Sequence, residues 1–256
     1  MLVSIITVAY NSASTIADTL RSVLGQTYAG IEYWVIDGAS TDATLDIIRQ
    51  WQPRFGNRLH LISEPDHGIY DAMNKGIAHC TGDVIGILNS DDFLTSPTVI
   101  QQIADAFVAD TDLRAVYGDV HFVRPERLDK CVRYYSGRPY RPSLAPYGFM
   151  PPHPSLYVRR DVYERYGTYL PDYKISADYE FISRIFYCHR IPHRYLPLDV
   201  VTMRTGGAST HSLHSHLQGT AEDLRACRHL GIPSNRFKIF LKYIFKVYSA
   251  MIRPNN

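Results

Sequence analysis

Acidic side chains stand at or shortly after the ends of three short, mainly apolar runs that are typical of buried β-strands. These side chains are Asp37, Glu64, Asp66, Asp91 and Asp92. In an open parallel sheet, ligands bind in the crevice outside the carboxyl ends of the strands. A single aspartate after a strand is usually a turn residue or a helix cap. Carboxylates that reach one rim from three strands predict a site for a polar ligand.

The adjacent pair Asp91 and Asp92 predicts a cation at this rim. Two uncompensated carboxylates beside a buried strand repel each other, which raises a pKa, and a bound cation removes that cost. Ligand sets made only of oxygen suit Mg²⁺ or Mn²⁺ held jointly with a substrate phosphate, and they do not suit structural zinc. The chain has neither GxGxxG after its first strand nor a P-loop motif, so dehydrogenase and P-loop fingerprints are missing.

The elements that must position these acids alternate between strand and helix over the first 110 residues. Runs of β-branched and apolar residues predict four strands, and each is followed by apolar residues at helical spacing. The predicted strands are 3–8, 33–36, 59–62 and 84–88, and the predicted helices are 16–24, 44–51, 69–80 and 98–108. This alternation is typical of a parallel sheet covered by helices.

The pattern weakens after about residue 110. Residues 139–154, rich in proline and aromatic side chains, predict an irregular loop that either shapes a binding cleft or simply connects two elements. Short strands are predicted before and after this loop, together with two helices and a glycine turn. The predicted strands are 115–117, 120–123, near 195 and 200–203, the predicted helices are 178–187 and 214–230, and the turn is at 206–207.

Composition limits the class of protein. The 256 residues, 45% apolar and 20% charged, are enough to bury one large core, so a disordered chain is excluded. Lysine and arginine number 27 against 25 acids, which argues against a dedicated nucleic-acid surface. Four cysteines without a CxxC pair favour a reduced cytoplasmic compartment. We expect neither a signal peptide nor a transmembrane span.

Several blocks, in their order along the chain, resemble family 2 glycosyltransferases of the GT-A fold. The blocks are DGAST, GIYDAMNKG, NSDD and SADYEF. The resemblance covers about residues 2–207 and is greatest to bacterial enzymes that build O-antigen, capsule or exopolysaccharide. It implies an α/β fold, with a Rossmann-like, mostly parallel central sheet flanked by helices. The implied domains are 1–210, with a nucleotide-binding half (1–110) and an acceptor half (111–210), and a basic, amphipathic helical tail, 211–256.

The resemblance implies that the rim at the carboxyl ends of the strands binds the nucleotide of the donor. Asp37 is implied to bond the base, typically at N3 of uracil, although a carboxylate could also accept from guanine. Asn74 and Lys75 are equally well explained as solvated helix residues. The implied donor-site residues are Thr7, Ala9, Tyr10, Asn11, Asp37, Asp66, Asn74, Lys75, Asn89, Ser90 and Asp91.

The same resemblance implies a metal-dependent, inverting transfer. Asp92 is the implied ligand of Mn²⁺ or Mg²⁺, which would neutralise the departing nucleoside diphosphate. Asp178 matches the position of the general base, with Glu180 as the alternative and His153 on the acceptor side; a helix N-cap is the other explanation for Asp178. His211 is a further candidate metal ligand, although a polar helix start is the commoner meaning of such a histidine.

Residues 236–253 carry five basic residues and no acid, and Lys238, Lys242 and Lys246 share one helical face. This pattern is typical of an interfacial helix on an anionic membrane. The alternative is a helix that docks on the catalytic domain or on a second subunit of a homodimer. The expected partners are a nucleotide sugar, foremost a UDP-sugar, and a saccharide linked to polyprenyl diphosphate, with no nucleic acid. The expected location is the cytoplasmic side of the inner membrane, by peripheral association.

Two other functions are compatible with a nucleotide-binding α/β sheet. A sugar-1-phosphate nucleotidylyltransferase would show a glycine-rich N-terminal loop with a basic residue, where this chain has AYNSAST. A non-catalytic scaffold that binds nucleotide sugars would keep Asp37 but would need neither Asp92 nor Asp178. The presence of all three residues favours the enzyme.

Overall fold

The computed structural model describes residues 1–206 and 213–242. Strands and helices alternate in the first half, as the apolar periodicity predicts. The elements are β1 (Val3–Ala9), α1 (Ile16–Leu24), β2 (Ile31–Asp37), α2 (Thr44–Phe55), β3 (Leu59–Ser63), α3 (Ile69–His79), β4 (Val84–Ile87), a short β5 (Phe93–Leu94) and α4 (Val99–Ala109).

The second half mixes strands, short helices and turns. Its elements are β6 (Ala115–Arg124), β7 (Arg127–Tyr135), β8 (Tyr157–Arg159), α5 (Arg160–Tyr166), α6 (Ala177–Ser183), β9 (His193–Arg204) and α7 (Leu213–His229). Two 3₁₀ turns lie between β7 and β8, at Pro142–Tyr147 and His153–Ser155, and a π-helical turn, Arg184–Cys188, continues α6. Residues 236–242 are also helical.

The strands of the described residues form one sheet, in the order β3-β2-β1-β4-β8-β6-β9-β5, with β7 paired to β6. The half made of β3, β2, β1 and β4 is parallel. Strand β8 runs antiparallel to both β4 and β6 and so joins the two halves, while β6 and β9 are parallel. Because the first four strands are parallel, their carboxyl ends meet at one edge of the sheet.

The core lies on both faces of the sheet, and β1 supplies side chains to each. All seven residues of β1 are buried, and alternate positions point to opposite faces. Ile6 and Val8 belong to the apolar cluster under α3, and Val3 and Ile5 to the cluster under α1. Helix α3 packs closely against β1 at Gly76, where a Cβ would lie 2.5 Å from Cγ2 of Ile6.

The structure differs from the predicted elements in its second half. The two strand pieces at 115–123 are one strand, β6, and its hairpin partner β7 was not predicted. The predicted helix at 178–187 is divided between α6 and the π-helical turn. Helix α7 buries Ala226 and Cys227 in the core cluster that also contains α3. No helix of the described residues is long and apolar enough to span a membrane.

Candidate functional site

Asp37 lies at the carboxyl edge of the parallel strands, in register with Ala9 and Ser63. Its side chain is fully buried, and its Oδ2 accepts hydrogen bonds from Ser63 Oγ (2.8 Å) and from the backbone N–H of Ser40 (3.0 Å). Its Oδ1 is buried and has no hydrogen-bond partner among the described residues. A buried carboxylate oxygen without a donor is costly, so this oxygen is available to accept from a ligand.

Tyr10 and Asp66 flank Asp37 across Gly38. Tyr10 is 64% exposed, although its ring is large and apolar. A Cβ at Gly38 would lie 2.3 Å from Oδ2 of Asp66 and 3.5 Å from the ring of Tyr10. The missing side chain at this position therefore lets the Asp66 carboxylate approach the backbone beside Asp37. The exposed ring offers a flat face on which an aromatic base could stack.

Asn11 and Ser90 connect the loops of this rim. Asn11 has a left-handed backbone (φ 48°), and its side-chain oxygen accepts from the N–H of Thr41 at 2.9 Å. The hydroxyls of Ser90 and Ser12 are 2.7 Å apart, which links the loop after β4 to the loop after β1. Sequence analysis did not select Ser12. These bonds make the loops of the rim a single connected surface.

Two predicted donor contacts are used inside the protein. Thr7 is fully buried, and its hydroxyl accepts a hydrogen bond from Tyr33 at 2.9 Å. The side chain of Asn74 bonds the backbone of Tyr169 in both directions, at 2.7 and 3.0 Å. Both side chains therefore make hydrogen bonds within the protein, and their contact with the donor stays a prediction. Asn74 fastens the segment before α6 to α3.

Lys75 is tied to the loop that carries Asp66. Its Nζ lies 2.7 Å from the carbonyl oxygen of Pro65 and 2.9 Å from a carboxylate oxygen of Glu64. The hydrogen bond to Glu64 raises the pKa of Lys75. Lys75 is therefore bonded to the loop of the rim that carries Asp66, and its contact with the donor stays a prediction.

Asp92 is almost fully buried, at 2% exposure. Its Oδ2 and the Oδ1 of Asn89 are buried and have no hydrogen-bond partner among the described residues. Burial, and after it the charge of Asp91, raises the pKa of Asp92 well above its usual range. Burial also raises the pKa of Asp91. Such a carboxylate pair is stabilised when a cation binds.

The oxygens of Asp92 and Asn89 suit Mg²⁺ or Mn²⁺ as part of a ligand set. The described residues contain no group of three or more His, Cys, Asp or Glu that could hold a metal ion by themselves. The rim therefore fits a cation that takes its remaining ligands from a phosphate-bearing substrate. The further candidate ligand, His211, lies outside the described residues.

Arg204, at the end of β9, holds the loop with the acid pair in place. Its guanidinium donates to the carbonyl oxygen of Asp91 at 2.5 Å and to a carboxylate oxygen of Asp18 at 2.5 Å. Thr19 donates from its hydroxyl to the carbonyl oxygen of Asp92 at 2.7 Å. Neither Arg204 nor Thr19 was predicted, because nothing in their local spacing shows contacts with residues so distant in sequence.

Asp178 forms a second cluster with His153 and Tyr70. Its Oδ2 lies 3.2 Å from Nδ1 of His153, and its Oδ1 lies 3.3 Å from the hydroxyl of Tyr70. The N–H of the next residue, Tyr179, also donates to Oδ1 at 2.8 Å. Asp178 is the second residue of α6 and its N-cap is Ser176, so Asp178 itself does not cap the helix. The carboxylate of Asp178 is thus held in one orientation, and the residue keeps a small exposed area.

Glu180 points away from this cluster. It is fully buried, and its Oε2 pairs with Arg184 at 2.8 Å. Arg184 also donates to the carbonyl oxygen of Thr168 at 2.6 Å. Residues two apart on a helix face nearly opposite directions, so Asp178 and Glu180 cannot serve the same cleft. The placement of Glu180 on the acceptor side stays a prediction that these contacts do not favour.

The described part of the C-terminal tail is docked on the fold. Ile239 is fully buried, and Lys242, 9% exposed, pairs with the buried carboxylate of Asp223 on α7. Phe237 and Phe240 point outward, at 70% and 56% exposure. Lys242 thus faces the protein interior, as the alternative of a docked helix predicts, and membrane binding by the tail stays a prediction. Lys246 and the rest of 243–253 lie outside the described residues.

Comparison with known proteins gives concordant matches. A family model described as Glycosyl transferase family 2 matches residues 4–167. The PGL/p-HBAD biosynthesis glycosyltransferase of Mycobacterium bovis BCG is 30% identical over 213 residues, which are 82% of this chain and 79% of that protein.

Solved structures match the same fold. The crystal structure of S. aureus TarS 1-349 with UDP-GlcNAc superposes with a TM-score of 0.71 at 17% identity, over 91% of this chain. This chain spans 66% of that one. The mannosyltransferase PcManGT from Pyrobaculum calidifontis, in complex with GDP-Man and Mn²⁺, has a TM-score of 0.64 at 20% identity, over 99% of this chain and 76% of that one.

Proposed function

This chain belongs to glycosyltransferase family 2, and we propose that it transfers a sugar, with inversion, from a UDP-sugar to a lipid-linked saccharide. The observation that carries the proposal is the segment 66–70, which contacts both clusters of acids. Asp66 lies over Gly38 beside Asp37, and the hydroxyl of Tyr70 lies 3.3 Å from Asp178. A donor bound at the first cluster would therefore be close to the second.

The hydrogen bonds of Asp37 favour uracil as the base. One carboxylate oxygen is occupied by Ser63 and Ser40, and only Oδ1 is left without a donor. The imide of uracil presents a single N–H, whereas guanine presents two parallel donors that require two acceptor oxygens. A single free oxygen matches the imide. The exposed ring of Tyr10 would then stack on the face of the base.

The acid pair would hold the diphosphate of the donor through a divalent cation. In this loop, Asp92 and Asn89 each have a buried oxygen without a hydrogen-bond partner among the described residues, so they would provide the protein's ligands to Mn²⁺ or Mg²⁺. When bound, such a cation supplies Lewis-acid neutralisation of the leaving nucleoside diphosphate. Arg204 and Thr19 fix the loop from either side, which keeps the oxygens of the pair oriented before the donor arrives.

Asp178 would act as the general base. Its carboxylate takes the proton of the acceptor hydroxyl while that oxygen forms a bond to C1 of the sugar and the bond from C1 to the phosphate oxygen breaks. Attack from the face opposite the leaving group inverts the configuration at C1. His153 lies at one carboxylate oxygen and the N–H of Tyr179 donates to the other, so the carboxylate is held in one orientation for the acceptor.

The lipid-linked acceptor and the peripheral membrane location rest on the tail and on a relative. Phe237 and Phe240 expose their rings beside Arg236 and Lys238, a combination suited to an anionic membrane surface. The helix that carries them packs against Gly148, in the proline-rich loop of the acceptor half. The mycobacterial relative is named for PGL/p-HBAD biosynthesis. A membrane at this helix would bring a lipid-linked saccharide near Asp178.

The first test is calorimetric titration of UDP, GDP and dTDP with and without Mn²⁺. We expect UDP and dTDP, which share the imide, to bind more tightly than GDP and to need the metal ion. Asp37→Asn should weaken the binding of UDP by about 5- to 150-fold, the equivalent of about 1–3 kcal/mol. Asp92→Ala should remove the effect of Mn²⁺. Asp46→Asn, on the exposed face of α2, is the matched control. Tighter binding of GDP, or no binding to folded protein, would overturn the donor assignment.

A further inference from the structure

Glu222 of α7 makes an unusual set of bonds to the backbone just before Asp178. It is 9% exposed, and its Oε2 accepts from the N–H of Ile175 (2.8 Å) and of Ser176 (3.0 Å), with Lys174 N at 3.2 Å. Gln218, one turn earlier on the same helix, donates to Oε1 at 3.0 Å. One carboxylate thus gathers three consecutive backbone donors. Hydrogen bonds to a charged acceptor are stronger than those between neutral groups.

We propose that Glu222 is a positioning residue for Asp178, and that α7 is therefore a working part of the acceptor site. The inference rests on the proposed role of Asp178 as the base. Helix α7 lies outside the residues matched by the family model and beyond the recognisable sequence blocks. The residue that completes the site would then come from the part of the chain that motifs do not cover.

A short series of hydrogen bonds and contacts links Glu222 to Asp178. Ser176, which Glu222 binds, is the N-cap of α6, and Asp178 is two residues further on. The carbonyl oxygen of Ile175, also in the bound segment, accepts from the hydroxyl of Tyr70 at 2.5 Å. That hydroxyl is the group that lies 3.3 Å from Asp178. Movement of 174–176 would therefore shift the helix start that carries the base, and also the tyrosine that lies beside it.

Helix α7 is well placed to transmit this support. Beside Glu222, the carbonyl oxygen of Gly219 accepts from the hydroxyl of Ser176 at 3.3 Å, and Ala226 is fully buried. A displacement of about 1 Å at a catalytic group can reduce the rate about 100-fold. The loss of Glu222 should therefore reduce the chemical step and leave the donor rim, which it does not contact, unaffected.

The test combines hydrogen exchange with turnover, using Glu222→Ala, Glu222→Gln and the control Arg228→Ala. Arg228 is exposed on the same helix and donates to the carbonyl oxygen of Leu224 in its own helix. Exchange is followed at the amides of 174–176. Turnover is the release of UDP from a panel of UDP-sugars with a synthetic prenyl-diphosphate-linked N-acetylglucosamine. The stoichiometry of UDP binding gives the fraction of intact sites.

We expect Glu222→Ala to speed exchange at 174–176 and to lower kcat about 10- to 100-fold. The affinity and stoichiometry of UDP binding should stay at wild-type values, and Glu222→Gln should be intermediate. Unchanged exchange, or faster exchange with kcat within twofold of wild type, would overturn the inference. A kcat loss that matches a loss of UDP stoichiometry would overturn it too, because that outcome is unfolding. Failure of the proposed function is distinguished by wild-type protein that binds no UDP or by unaltered turnover in Asp178→Asn.

Discussion

The buried pair of Lys242 and Asp223 makes a quantitative prediction about the C-terminal tail. Lys242→Met keeps most of the apolar length of the side chain and removes the cation. Asp223, 2% exposed, would then be a buried carboxylate without its opposite charge. The two charges lie on the last described helix and on α7, so the substitution tests whether the tail is docked on the fold.

The expected loss of stability follows from burial. Removing one partner of a buried ion pair costs about 3–5 kcal/mol, and the 9% exposure of Lys242 places this pair near the lower end, at about 3 kcal/mol. For a chain of this length, each kcal/mol lowers Tm by about 2–4 °C. Calorimetry should therefore show Tm lower by about 6–12 °C. The double variant Lys242→Met with Asp223→Asn, in which the remaining carboxylate is neutralised, should recover most of the loss.

The loss should depend on pH. Burial raises the pKa of Asp223 above its ordinary value, and the charge of Lys242 opposes that rise. Without Lys242 the folded-state pKa rises further, so the ionised carboxylate destabilises the folded protein most at high pH. The folded state binds the proton more readily than the unfolded state, so lowering the pH relieves the penalty. The Tm difference from wild type should be smaller at pH 5 than at pH 8.

A matched control is Arg236→Met, which removes an exposed cation from the same helix. Its effect should stay within about 0.5 kcal/mol. An unchanged Tm for Lys242→Met, or a deficit that does not shrink as pH falls, would refute the reasoning. An unchanged Tm would favour a tail helix that is not docked on the catalytic fold, whereas a deficit independent of pH would show that the charge of Asp223 is not its cause.

Three further substitutions address the site itself. Asp178→Asn should lower the release of UDP from a UDP-sugar by about 10²- to 10⁴-fold while calorimetry shows unchanged UDP affinity; retained turnover would remove this residue from the chemistry. Asp92→Asn should stabilise the metal-free protein by about 0.5–2 kcal/mol, because it removes a buried carboxylate whose pKa is raised. In the same variant Mn²⁺ should no longer raise Tm, and a preserved metal response would contradict the assignment. Gly38→Ala should weaken UDP binding about tenfold, or about 1.4 kcal/mol, since its Cβ would lie 2.3 Å from Asp66. Wild-type affinity would show that the rim tolerates displacement of this carboxylate.

The parallel half of the sheet was predictable because local signals agree there. The run at 3–8 is rich in β-branched residues, and apolar residues recur at helical spacing at positions 16, 20 and 23, so the strand and the helix differ in period. Strand β7 has no such signal, because six of its nine residues are exposed and no alternation of apolar residues is left to detect. The predicted helix at 178–187 hides the change to a π-helical turn at Arg184, since both conformations are helical in period.

The acids of the candidate site could be selected from sequence, but their neighbours could not. Asp37 and Asp92 follow apolar runs, and their position after these predicted strands was enough to place them at the carboxyl edge of the sheet. Glu222 contacts residues more than forty positions earlier, and no local pattern distinguishes it from a solvated helix residue. The spacing of four between Lys238 and Lys242 indicated one shared face, but it could not show that Lys242 pairs with the buried carboxylate of Asp223.

Because Arg204 of β9 holds the loop of the acid pair, this part of the site can form only late in the synthesis of the chain. Arg204 reaches the carbonyl oxygen of Asp91 across 113 residues of chain, and β5 pairs only with β9 among the described strands. The parallel strands β1 to β4 are synthesised first and can begin to assemble on the ribosome, because domains fold as their N-terminal parts emerge. The loop of Asp92 must wait until residue 204 has left the exit tunnel. A ribosome-bound fragment that ends before β9 should therefore carry the sheet edge of Asp37 without a competent metal and phosphate site.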